Sequence, residues 1–415
     1  MAGIQPILSR AVEALLILAL FTVALYSKTL KKEHFQTCGL GFMAGILAIA
    51  GVSALYNGTS LVGFAVFANM VFLPYLLLLA ILNASFSCDK VSHLVYLLVL
   101  LQLPAVLIKL IVIGQSESGG IGTVSLADGT VSTVFPSLIC CFLFAYFLYR
   151  EKWSYLWLVG GFCAFGLIGK KKAIIAFVPI ALVTVYTIYL LNAYGVQLQK
   201  RLKVFGLLAI CVCSCVYATV RLVPEFNVDG RVGGAFDLGY AIEFAADYEA
   251  RKPGMRDTGR LSAMVQVSNR MCKSGIHNYI GYGPGETIKT RFLPGHDNDL
   301  NWNKFRLGYG GKTALMSLWL QVGLVGVSLY LLYMLHLFLT VCKCYLRHGT
   351  YREHIPTAVG VLGGVSVFML DFLLYSDASM QYSFIWGVLF YAAGLVLRNV
   401  KCSARFRSCP MKVPM

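Results

Sequence analysis

Apolar residues fall along this chain in long blocks rather than in the short alternations of a soluble domain. Eleven blocks stand out, at about 11–27, 37–56, 61–83, 91–113, 131–149, 154–169, 173–192, 203–222, 313–340, 355–374 and 383–397. A hydrocarbon core of ~30 Å needs ~20 such residues per helix. The pattern predicts an all-α polytopic membrane protein of about eleven transmembrane helices. One interruption is large: from about Pro224 to Lys312 the chain is too polar for a bilayer. The expected organisation is eight helices within 1–222, a large extracytoplasmic loop with short helices over 223–312, three helices within 313–397, and a basic tail over 398–415. The first block follows few charges and lacks a small-residue cleavage site, so it reads as a retained helix rather than a signal peptide.

Composition supports this reading. The 415 residues are 58% hydrophobic and only 13% charged, whereas soluble domains run near a quarter charged. The net charge of +16 would suggest nucleic acid in a soluble protein. Here most Lys and Arg sit at helix ends and no nucleic-acid motif accompanies them, so nucleic acid is not an expected partner. Of the thirteen cysteines, only Cys272 lies in the loop, which argues against a cysteine-built metal site there. Cys211, Cys213 and Cys215 do not share one helical face and read as small packing residues.

Charge also orients the chain. With the large loop outside the cytoplasm, the cytoplasmic connections carry Lys28, Lys31 and Lys32, then Lys90, Arg150 and Lys152, Lys200, Arg201 and Lys203, and Lys343, Arg347 and Arg352. The tail adds Arg398, Lys401, Arg405, Arg407 and Lys412 on the same side. The outer connections at 57–60, 114–130 and 375–382 contain no Lys or Arg. This satisfies the positive-inside rule. The expected topology places the large loop outside the cytoplasm and the C-terminus inside it.

Lys170, Lys171 and Lys172 break the rule, since they join the sixth and seventh blocks on the outer side. Either the short block at 154–169 is not a span, or these cations hold an anion at the outer surface. Lys109 points the same way, with Asp371 and Glu13 as candidate counter-charges. Intramembrane ionisable groups are functional candidates by default, although each alone also fits snorkelling or pairing. An outward cationic pocket at bilayer depth suits a lipid-linked phosphate or diphosphate, its tail among the helices and its head group on Lys and Arg.

Within the loop, Asp237 is a candidate cap for a helix with Leu238, Ala241, Phe244 and Tyr248 on one stripe. Pro253-Gly254 ends it. A second helix is expected from Asp257 or Thr258, carrying Leu261, Met264, Val265 and Met271 inward. Arg260 falls in its first turn, where a cation opposes the helix dipole. Arg270 falls near its end, where a cation is favourable. Gly281-Tyr-Gly-Pro-Gly285 is a tight turn built on Gly281, Gly283 and Gly285, structural or presenting N–H groups to an anion. His296, flanked by Asp297 and Asp299, is a candidate general base near neutral pH. No metal or other cofactor is expected, although Asp297, Asn298 and Asp299 offer oxygen ligands.

These elements together resemble the O-antigen polymerase and O-antigen ligase families of bacterial surface-polysaccharide assembly. Gly169-Lys-Lys-Lys-Ala-Ile-Ile-Ala176 is similar to their basic segment opening a helix, with lysines where a Ser-Arg pair is usual. Thr258-Gly-Arg-Leu261 followed by Gly281-Tyr-Gly-Pro-Gly285 resembles a Gly-Arg…Gly-x-Gly element, and Arg270 and Gly281 share an Arg-x10-Gly spacing. His296-Asp-Asn-Asp-Leu300 and Leu320-Gln-Val-Gly-Leu-Val-Gly326 resemble the His-Asn-x-x-Leu and Gly-Leu-x-Gly pair. The gap between those two is longer than usual, which brings Lys312 or Thr313 to the histidine slot and leaves His277 as a second base. The resemblance covers roughly residues 165–330.

The resemblance implies a GT-C-like membrane glycosyltransferase. Its donor would be an undecaprenyl-diphosphate-linked oligosaccharide, polymerised into O-antigen, capsule or exopolysaccharide. Lys170, Lys171, Lys172 and Arg260, with Arg270 and Lys109, would hold the diphosphate, and His296 would take the proton from the attacking hydroxyl. A flippase and a chain-length regulator are implied partners, besides the lipid bilayer. Two alternatives stand: a ligase moving glycan to lipid A core or protein, and a non-enzymatic transporter or flippase of lipid-linked sugars.

Overall fold

The computed structural model describes residues 22, 36–83, 89–112, 131–168, 173–191, 198–250, 259–287, 305, 313–347, 354–376 and 383–408. Among these the regular structure is entirely helical, with no strand.

Helix α1 (Leu40–Asn57) ends on left-handed Gly58, whose N–H bonds the carbonyl of Ala54. Helix α2 (Leu61–Asn83) follows at once. The block at 91–113, expected as one span, is two helices, α3 (Asp89–Leu100) and α4 (Gln102–Val112). Pro104 explains the break, because it cannot donate to Leu100 and its ring crowds that carbonyl. Helices α5 (Val131–Arg150), α6 (Trp153–Ile168), α7 (Ile174–Leu191) and α8 (Leu198–Leu222) then run back and forth. The polar segment adds a short 3₁₀ turn (Pro224–Phe226), then α9 (Leu238–Ala250), α10 (Arg260–Cys272) and the single turn α11 (His277–Ile280). Three long elements close the chain: α12 (Ala314–Arg347), α13 (Ile355–Leu370) continuing as a π-helical turn (Asp371–Tyr375), and α14 (Ser383–Ser408).

Among the described residues, seven helices are long and apolar enough to cross a membrane: Leu40–Asn57, Leu61–Asn83, Ser132–Arg150, Ile174–Leu191, Leu202–Leu222, Ala314–Leu346 and Ile355–Tyr375. The apolar runs Ser92–Ile108 and Ile385–Arg398 are shorter, and α6 has only 16 residues. The first block, 11–27, lies outside the described residues except at Thr22. The fold is that of an all-α polytopic membrane protein.

Helix α13 is the hub. It is buried along nearly its whole length and packs against α5 and α7. Small residues allow this: a Cβ on Gly360 would collide with Phe142, one on Gly363 with Val185, and one on Gly364 with Leu138 and Leu389. Helices in lipid gain no hydrophobic drive from meeting one another, so close backbone approach and dense contact carry the association. Aromatic rings fill the wider gaps, as where Phe368 meets Trp386 edge-on at 3.9 Å between centroids.

Candidate functional site

The polar segment is bolted to one end of this bundle. Asp237 caps α9, its Oδ1 accepting from the Tyr240 N–H at 3.0 Å. Ala241 and Phe244 then pack on Val220, Val223, Phe226 and Ile175 at the ends of α8 and α7. Asn227, fully buried, ties the preceding turn together, with Nδ2 reaching the carbonyls of Val220, Val223 and Arg231.

Helix α10 is rotated from the expected face, which keeps Met271 and part of Met264 inward but turns Leu261 and Val265 out. Ala263, Val267 and Met271 are buried against Met316, Leu320 and Phe305, while Leu261 and Val265 are 62% and 54% exposed. Met264 is partly buried against the same cluster. The buried stripe runs through Ala263, Val267 and Met271 at i, i+4 and i+8, so Leu261 and Val265 fall outside it. The rotation matters for Arg260, which stands one turn before Ala263 and so begins the inward stripe.

Arg260 meets two partners. Glu249, near the end of α9, receives its Nη1 at 2.8 Å and, on the other carboxylate oxygen, its backbone N–H at 3.0 Å. That carboxylate sits at the N-terminus of α10 and offsets the unfavourable cation there. The guanidinium lies over the ring of Tyr375, 4.5 Å from its centroid. Tyr375 belongs to the π-helical turn, and its hydroxyl lies 3.4 Å from Oγ1 of Thr133 at the start of α5. Its ring also meets Phe177 in the first turns of α7, 5.0 Å between centroids. The Arg260 side chain is only 18% exposed, and its Nε is buried with no hydrogen-bond partner.

Beneath this cluster, the buried Asp371 accepts from the Ser376 hydroxyl at 2.7 Å. The Ser376 carbonyl accepts from the Ala314 N–H at 2.9 Å, joining α13 to the start of α12. Thr313 caps α12 through Oγ1, which accepts from the Met316 N–H at 3.3 Å.

The glycine turn serves α12. That helix is interrupted at Gly323 (φ 67, ψ −174), a conformation essentially reserved for glycine. The backbone of Tyr279 occupies the space a side chain would need. The interruption frees two helical carbonyls: Tyr282 N–H donates to Leu320 at 2.7 Å and Gly283 N–H to Gln321 at 3.2 Å. Gly285 N–H donates to Oε1 of Gln321 at 2.7 Å, and Gln321 Nε2 donates back to Ser317. These amides are therefore satisfied within the protein rather than turned toward an anion. The Gly-Leu-x-Gly stretch thus opens the second of two helical segments that meet at Gly323.

His277 stacks on Tyr282 at 4.3 Å, with Nδ1 3.1 Å from the carbonyl of Gly281. A hydrogen on Nδ1 satisfies that carbonyl and leaves Nε2 as the basic nitrogen. Arg270 is exposed, its guanidinium 5.8 Å from the Phe305 ring centroid. Lys170, Lys171, Lys172, His296 and Lys312 lie outside the described residues, as does the side chain of Lys109.

The structure thus joins Arg260 to Glu249 and Tyr375, two residues that sequence reasoning did not single out. Glu249 reads from sequence as one more acid on a solvated face, and Tyr375 as one of many aromatics at a helix end. Gln321 had a signal, as an amide inside an apolar run.

No protein-family model matches the chain, and no curated protein matches it either.

Proposed function

We propose that this membrane protein is a glycosyltransferase that polymerises lipid-diphosphate-linked oligosaccharide repeats at the outer membrane face. The observation that carries the reading is Arg260. Its guanidinium is fixed by Glu249 and Tyr375 and keeps a buried Nε–H without an acceptor. A buried donor left unmatched costs about 1–3 kcal/mol, and a phosphate oxygen would satisfy it with a charge-assisted bond.

The placement supports the same ligand. Phe177, which touches Tyr375, follows the connection carrying Lys170, Lys171 and Lys172 by one turn and a half. In this reading the head group is held by Arg260 together with Lys170, Lys171 and Lys172. In the transfer, an acceptor hydroxyl attacks the anomeric carbon and the bond from that carbon to the diphosphate oxygen breaks. The cations stabilise the departing diphosphate, and a base, His296 in this reading, takes the hydroxyl proton. The helices of the loop would keep competing water from the sugar.

Reconstitution tests it. Purified protein in vesicles with undecaprenyl-diphosphate-linked oligosaccharide, and no nucleotide sugar, is expected to give a ladder of products. Transfer only after a lipid A core or protein acceptor is added would replace polymerase by ligase. Movement of the lipid between leaflets with no new glycosidic bond would overturn the enzyme altogether.

A further inference from the structure

Helix α8 and the turn that follows it share an exposed apolar surface among the described residues. Along α8, Leu202, Phe205, Ile210, Tyr217 and Leu222 are exposed, as expected for a membrane-spanning helix at the rim of its bundle. The exposed apolar surface continues past the end of the helix. Val228, Val232, Phe236, Leu238 and Ile242 are also exposed, with Val232 at 61% and Ile242 at 62%.

Two contacts make the surface continuous. The rings of Tyr217 and Phe236 lie 5.3 Å apart. Arg221 donates from Nη1 to the Tyr217 hydroxyl at 2.9 Å and from Nη2 to the Gly233 carbonyl at 2.8 Å, pinning the turn against the helix end. The two acids of the segment are exposed, but each accepts a backbone N–H of the segment itself. Asp229 accepts from the Ala235 N–H at 2.9 Å and Asp237 from the Tyr240 N–H at 3.0 Å. Beside these apolar side chains stand the exposed Asp229, Arg231 and Asp237, with Arg231 Nε 3.8 Å from Asp229 Oδ2, and the half-buried Arg221.

We propose that residues 228–242 form an interfacial element that lies in the outer leaflet of the bilayer. The occupant of the surface is lipid: acyl chains against Val232, Phe236 and Ile242, and head-group phosphates near Arg221 and Arg231. Three physical features favour lipid. The patch continues a face that already meets the hydrocarbon core. It carries an aromatic–arginine pair at the level where such residues anchor proteins. Each of its carboxylates accepts a backbone N–H and Asp229 also faces Arg231, which lowers the cost of approaching a low-dielectric layer. An apolar patch of this kind on a water-facing loop would otherwise invite aggregation. The proposal is independent of the reaction the chain carries out.

An environment-sensitive fluorescent amino acid, inserted by codon suppression at Val232, Ile242 or Asp247 of the full chain, tests it. Ile210 serves as a reference inside the membrane. The proteins are reconstituted in phosphatidylcholine–phosphatidylglycerol vesicles with or without nitroxide-bearing lipid. Emission from positions 232 and 242 is expected to shift to the blue and to be lost to lipid-borne nitroxide, as at position 210. Position 247, on another face of α9, is expected to keep water-like emission. Water-like, unquenched emission at 232 and 242 overturns the proposal. A blue shift without quenching, reversed when the protein is diluted into excess lipid, also overturns it, since a second copy of the chain would then cover the patch.

Discussion

Arg260 and Tyr375 form a stacked cation–aromatic pair, the guanidinium carbon 4.5 Å from the ring centroid. The pair joins the first turn of α10 to the last turn of the hub helix α13. A residue of the polar loop is thereby aimed by the membrane bundle, with Glu249 holding both its guanidinium and its backbone N–H.

Replacing Arg260 tests the site directly. Arg260→Ala is expected to lower glycan transfer by about 100-fold or more, the size of effect seen when one charge-stabilising donor is removed from a reaction centre. Arg260→Lys keeps a cation but loses the planar fork and the stacking, so it should restore only part of the rate. Product ladders from reconstituted protein, at matched expression, check both. Normal product lengths from Arg260→Ala would remove the residue from the site.

Tyr375 is expected to act through Arg260. Tyr375→Phe retains the ring face and should keep most activity. Tyr375→Leu removes it and should slow transfer by about two- to thirty-fold, the rate equivalent of the ~0.5–2 kcal/mol of a cation–π contact. Equal loss in both variants would instead assign the effect to the contact of the hydroxyl with Thr133.

The lysine connection should govern donor use. Replacing Lys170, Lys171 and Lys172 by Gln is expected to raise the KM for the lipid-linked donor more than it lowers kcat. The natural protein should lose donor affinity as salt rises, because exposed charges are screened within ~10 Å at 0.1 M, and the triple variant should be less sensitive. Unchanged donor dependence in the variant would refute a diphosphate role for these residues.

The break in α12 makes a stability prediction that does not depend on the reaction. Gln321→Leu leaves the Gly285 N–H without its acceptor, at a cost of about 1–3 kcal/mol. Gly323→Ala should be worse, since a strained backbone of this kind costs about 1–3 kcal/mol by itself and the new methyl meets the Tyr279 carbonyl. Thermal unfolding in detergent should show both melting below the natural protein, Gly323→Ala the lower.

Much of the helical plan is readable from the residues alone. A membrane-spanning helix needs a long apolar run and announces itself locally, and seven of the expected blocks are helices long and apolar enough to cross a bilayer. The cap at Asp237 and the turn at Gly281-Tyr-Gly-Pro-Gly285 are local in the same sense: a side chain or a backbone conformation answers to its own neighbours. The inward face of α10 was readable only in part: Met271 and, partly, Met264 are buried as expected, whereas Leu261 and Val265 are exposed and Ala263 and Val267 take the contact with α12, a rotation that depends on where α12 lies. The partners of Arg260 were beyond reach for a stronger reason. Glu249 sits on another helix and Tyr375 on another part of the chain, and no periodicity links them. Local chemistry determined where the helices and turns lie; only packing in three dimensions decided which way Arg260 points and what holds it there.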